Sequence, residues 1–181
     1  MDLAEAFRNY KGKIVDRWVD YTLSTYQSSS FFKKEGDLFA NPVGGNIREA
    51  LKKLLPLFIR GAAVEEMIPS LEQFMKIRSI QDFSPSQAVA PLNAVKHITR
   101  EILAADKERC HLVSELYDFD FSVDLAVLAA FDLYMQCRER LYQTRIREIK
   151  TGTHILTDSR CPSADLKGKQ VQEIIPKVES I

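Results

Sequence analysis

Few residues in this chain are placed to do chemistry. The densest group is Arg78-Ser79-Ile80-Gln81-Asp82-Phe83-Ser84-Pro85-Ser86-Gln87. Arg78 follows Leu71 by seven residues and Met75 by three, so it continues the apolar face of its own helix. Gln81 and Asp82 come one turn later, and Arg78 and Asp82 stand at i, i+4. An inward-facing charged pair must be hydrogen-bonded, because uncompensated burial of charge is costly. Arg78, Gln81, Asp82 and Ser84 therefore have two readings. They form a polar site between helices, where a ligand or partner helix shifts the balance, or a satisfied network that locks the turn before Ser84. Buried polar groups are usually paired within the fold, which favours the network.

A second motif is Phe39-Ala40-Asn41-Pro42-Val43-Gly44. Asn41 can accept a hydrogen bond from a free N–H of the first helical turn, and Pro42 at the first helical position forfeits no intrahelical bond. Gly44 and Gly45 let another backbone or a ligand approach, and free N–H groups there could hold an anion. The lysine and spacing of a phosphate loop are missing, so Asn41, Pro42 and Gly44 read first as a helix-packing device.

His97 is the best placed histidine for a haem or metal. On a helical wheel it falls opposite Val95 and Ile102, near Asn93 and Arg100, on the solvated face. His111 beside Cys110, His154 past the last helix and the dipeptide Cys161-Pro162 carry little specificity. Arg138, Arg140, Arg145, Arg147 and Lys150 are interleaved with Glu139 and Glu148, as in a solvated, cationic helix end. Nucleic-acid binding wants a broader, less neutralised patch. No Ser/His/Asp arrangement, HExxH spacing or nucleotide glycine loop occurs. The expectation is no enzyme, no metal site, no cofactor and no nucleic-acid partner.

The elements that must position these groups are helical. Residues 2–27 carry Leu3, Phe7, Tyr10, Ile14, Trp18 and Tyr21 at three- and four-residue steps. Ser28-Ser29-Ser30 ends that segment and Phe31 to Phe39 connects it onward. The helix opened by Asn41-Pro42 buries Ile47, Leu51, Leu54, Leu55 and Phe58, with Pro56 inside the pattern and Gly61 as its stop. Glu65 to Gln81 turns Leu71, Phe74 and Met75 inward. Ser84-Pro85-Ser86-Gln87 opens the next helix as a capping box, and Ala88, Leu92, Val95, Thr99 and Ile102 form its inner stripe, with a bend at Pro91. Glu108 to Tyr117 is a short helix. Phe119 to Lys150 is the longest element, apolar nearly all round from Phe121 to Met135 and so central to the core. The fold class is all-α, a compact bundle of about six helices with a long central C-terminal helix. The domain covers residues 1–152, and 153–181 reads as a partly ordered tail.

Composition sets the remaining bounds. A chain of 181 residues suits one domain, and its 25 basic and 25 acidic residues cancel, so overall charge selects no polyanionic partner. Cys110, Cys137 and Cys161 have no close spacing, as in reduced cysteines of a cytoplasmic protein. Met-Asp-Leu-Ala-Glu at the N-terminus has no apolar signal region. The apolar run from Val123 to Met135 is broken by Asp124 and Asp132 and falls short of the roughly 20 residues a membrane span needs.

The two motifs, with Ile14-Val15-Asp16-Arg17-Trp18 as an opening helix, resemble the N-terminal domain family of RsbRD, the stressosome co-antagonist of the kinase RsbT. The likeness runs over roughly residues 5–150. It implies a helical sensor or input domain, and related stressosome proteins use globin-like folds that need no haem. In such proteins the domain precedes a STAS output domain. About 30 residues follow the last helix here, too few for that domain, so a stand-alone module that works by binding is expected. The leading expectation is a cytoplasmic regulatory module, a homodimer or protein-bound, with Leu141, Tyr142, Ile146 and Ile149 as its interface. The alternative is a sensor that holds haem or an apolar molecule between helices.

Overall fold

Three of the described α-helices start behind a side chain that binds a free N–H group of the first turn. The computed structural model describes residues 2–26 and 41–151. Helix α1 runs Leu3–Ser24 behind Asp2, whose carboxylate accepts the Ala4 N–H. Helix α2 runs Pro42–Ile59 behind Asn41, whose Oδ1 accepts the Gly44 N–H at 2.8 Å. Helix α3 runs Val64–Ser79 without a side-chain cap. Helix α4 runs Pro85–Ala104, and Ser84 and Gln87 exchange hydrogen bonds as a capping box. A 3-10 helix covers Cys110–Glu115, and α5 runs Tyr117–Thr151. The fold is all-α, with no strand among the described residues.

Gly44 is required by the cap it follows. A Cβ on it would lie 2.4 Å from Asn41 Nδ2 and 2.9 Å from Asn41 Oδ1. The close approach expected at this glycine is therefore made by the chain's own buried cap. Gly44→Ala is expected to displace Asn41 and lower stability by about 1–2 kcal/mol, read as a fall in urea midpoint at unchanged slope. Gly61 ends α2 in the left-handed region, with φ 59°.

The chain divides into two units, residues 1–141 and 142–181. In the first, α2 packs against α3, and α1 against both α4 and α2. Their core holds Trp18, Phe58, Phe74 and the expected stripes of α2, α3 and α4. Phe7, Phe58 and Phe119 join α1, α2 and α5, with ring centroids 5.2 Å apart for Phe7–Phe119 and 6.4 Å for Phe58–Phe119. Tyr21 departs from the expected stripe of α1. It is exposed, while Val15, Val19, Thr22 and Leu23 face inward, so the buried face drifts around the helix from the simple three/four pattern. Helix α5 sends Phe119, Val123, Ala126 and Tyr134 into the core, while Phe121, Leu128, Phe131 and Met135 are exposed. Apolar character all round here means one face in the core and a second facing out. In the second unit the described residues, 142–151, are helical, and Thr151 Oγ1 donates to Arg147 O at 2.9 Å. Phe31 to Phe39, Ala40, His154, Cys161 and the expected tail 153–181 lie outside the described residues.

Candidate functional site: the turn between α3 and α4

Arg78 is wholly buried in the last turn of α3. Its Nη1 donates to Thr25 Oγ1 at 3.2 Å and its Nη2 to Gln87 O at 3.0 Å. The guanidinium carbon lies 4.1 Å from the ring centre of Phe83, 5.2 Å from Tyr26 and 5.6 Å from Phe74. Its Nε finds no acceptor, and no described carboxylate forms an ion pair with it. The expected inward pair with Asp82 is not made. Asp82 is exposed and Gln81 half-buried, because the chain leaves α3 at Ser79 before the i, i+4 relation can close. Burial pushes the Arg78 guanidinium below its ordinary pKa and the neighbouring Tyr26 hydroxyl above its own.

The reason for this arginine lies in α4. Pro91 sits inside that helix and has no N–H, so it cannot bind the carbonyl four residues before it. That carbonyl belongs to Gln87, and Arg78 Nη2 supplies the missing donor. Other side chains close the same junction. Trp18 Nε1 donates to Pro91 O at 2.6 Å. Tyr134 Oη donates to Phe83 O at 2.5 Å, and Arg138 Nη1 to Ser79 O at 3.1 Å. Of the four sequence candidates, Arg78 is buried, Ser84 serves as the α4 cap, and Gln81 and Asp82 lie on the connecting turn. Thr25, Tyr26, Phe83, Tyr134 and Arg138 complete the junction. The sequence signal that points to it is Pro91, since a proline inside a helix frees a carbonyl that needs a donor.

The remaining candidates are dispersed. Asn41 is buried as a cap and Gly44 beneath it. His97 is exposed on α4, its Nε2 3.0 Å from Glu101 Oε1. Among the described residues no group of three or more His, Cys, Asp or Glu could hold a metal ion. No helix among them is long and apolar enough to cross a membrane. Leu141 ends the first unit, and Tyr142, Ile146 and Ile149 lie in the second; all four are exposed.

A second polar cluster, missed in the sequence, ties α1 to the loop after α4. Tyr10 Oη donates to Asp106 Oδ2 at 2.5 Å, and Arg109 Nη1 donates to Tyr10 Oη at 2.7 Å and to Asp106 Oδ2 at 2.6 Å. The Tyr10 hydrogen bond, then the Glu108 N–H, hold the Asp106 carboxyl below its ordinary range. A depressed carboxylate contributes stability above its unfolded pKa and loses it as pH falls through the folded value. Tyr10→Phe removes the largest cause. It is expected to flatten the loss of stability between about pH 4 and the acid transition, read from urea midpoints across pH.

The fold and this junction define an all-helical domain whose polar residues mend its own backbone. Residues 12–149 match the family model of the RsbT co-antagonist protein rsbRD N-terminal domain. The chain belongs to that family, a regulatory sensor domain family. No curated protein and no solved structure matches it.

Proposed function

We propose that this protein is a non-catalytic, cytoplasmic regulatory module that works without a cofactor by binding protein, beginning with a second copy of itself. The observation that carries the reading is the outward face of α5, where large apolar side chains stand in solvent; Leu128 is 65% exposed and Phe121 55%. Contiguous apolar surface of this kind marks interaction sites. Membership of a regulatory family supports the same reading. The test is sedimentation velocity of the full chain. A dimer that dissociates on dilution is expected, and a monomer at every concentration overturns the self-association. Serine at Leu141, Tyr142, Ile146 and Ile149 is expected to weaken a dimer whose interface extends to them.

One observation favours the alternative, a small apolar ligand held between helices. A cavity of about 410 Å³ is lined by Ile59, Gly61, Asp118, Phe121, Ser122 and Leu125. Ser122 Oγ, at its wall, has no hydrogen-bond partner. Native mass spectrometry of the purified protein decides between the readings. A bare chain or bare dimer mass, with no Soret band on adding haemin, counts against a ligand; an added small-molecule mass counts for it.

A further inference from the structure

We infer that the cleft between α1 and α2 is a binding site for a small organic dianion, two negative charges carried on a compact hydrocarbon body. The cleft holds about 310 Å³ and is lined by Lys11, Gly12, Val15 and Asp16 of α1 and by Arg48 and Lys52 of α2. That volume lies at the lower end of the range for small-molecule sites. The cleft shares no lining residue with the cavity beside Ser122 or with the exposed face of α5, so the inference stands whether or not the chain self-associates.

Gly12 is the residue that the fold leaves unexplained. It stands inside α1, where glycine destabilises a helix relative to alanine. Gly44 is required by the Asn41 cap and Gly61 by a left-handed turn. Gly12 has neither reason. A Cβ built on it meets nothing within 4 Å, and its φ is not positive. A larger side chain there would stand in open space at the cleft. The glycine thus keeps bare helix surface in the cleft wall, one turn before the apolar Val15. A hydrocarbon body can lie against that surface.

Charge sets the other half of the ligand. The charges of the whole chain cancel, but those of the cleft do not. Arg48 and Asp16 pair across the two helices, Nη1 to Oδ1 at 3.3 Å, and offset each other. Lys11 and Lys52 make no hydrogen bond or ion pair among the described residues. Two ammonium groups are therefore left over, each a point charge with three donors that phosphate and carboxylate oxygens satisfy alike. A dianion meets both. A neutral apolar molecule would leave them without partners, and a cation would be repelled.

The test is titration of the isotope-labelled full chain at about pH 8 and low salt with phenyl phosphate and with phthalate, followed by amide shifts. Saturable shifts centred on residues 11–16 and 48–52 are expected with at least one of them, and the tighter one identifies the head group. Benzoate, with a ring and one charge, and inorganic phosphate, with no ring, are each expected to bind about fivefold more weakly. Benzoate equal to the better dianion overturns the match of two charges to two lysines. Inorganic phosphate equal to phenyl phosphate means an adventitious ion only and overturns the inference, as does no saturation by either dianion up to about 10 mM. Lys11→Gln and Lys52→Gln are each expected to weaken binding about fivefold. Gly12→Leu separates a site from an effect on the fold. Leucine is the better helix former, so the urea midpoint should rise while the side chain fills the cleft and the saturable shifts are lost. A Gly12→Leu chain that binds the dianion unchanged, or that is less stable because residue 12 has no open space beside it, overturns the inference.

Discussion

Arg78→Met is expected to fold with a stability within about 1 kcal/mol of the natural chain, whereas Arg78→Ala loses about 2–4 kcal/mol. Two effects of opposite sign set the difference. The guanidinium is wholly buried without a described counter-charge, so the natural residue carries a desolvation cost that methionine does not. Against this stand its contacts with Phe83, Tyr26 and Phe74 and its two hydrogen bonds. Methionine keeps most of the volume and a polarizable contact with the rings, while alanine leaves a cavity among them. Arg78→Lys separates charge from shape. An ammonium cannot lie flat against the rings while donating to both Thr25 and Gln87, so lysine should resemble alanine more than methionine. Urea midpoints of the three variants decide this. If alanine matches the natural chain within error, Arg78 is not the packed donor described above.

The same residue shows how much of the molecule was legible beforehand. Local rules act over a few residues, and they read well. Asn41-Pro42, the Ser84–Gln87 box and Gly61 place helix ends because each solves a backbone problem on the spot. The stripes of α2 and α4 read well for the same reason. Spacing from Leu71 and Met75 places Arg78 inward, and it is inward. Its partner was not legible. The i, i+4 rule offers Asp82, but the helix ends at Ser79 and the acceptors come from Thr25 and Gln87, which only the tertiary fold brings near. Tyr10 and Asp106 meet across 96 positions for the same reason. The outward face of α5 was hidden by its own composition. A helix apolar on all sides reads as enclosed, and only the packed structure shows which side is exposed among the described residues.

Trp18→Ala is expected to be the most damaging single change described for this core, at about 3–5 kcal/mol, and Trp18→Phe to cost about 1–2 kcal/mol. The indole is fully buried, with its ring centre 5.9 Å from that of Phe58, and its N–H is committed to Pro91 O at 2.6 Å. Alanine removes the packing and the donor together, while phenylalanine keeps much of the packing and removes the donor. Pro91→Ala then distinguishes the two side chains that reach this turn. Alanine at 91 restores an N–H that can bind Gln87 O, so the carbonyl no longer depends on Arg78. Arg78→Met should therefore be less costly in that background, a coupling of about 1 kcal/mol. Trp18→Phe should show little coupling, because residue 91 presents the same carbonyl whichever side chain it bears. A thermodynamic cycle with equal coupling for both pairs would mean that Pro91 acts through general distortion of α4. Coupling confined to Arg78 would mean that the buried guanidinium is there to complete the backbone that the proline interrupts.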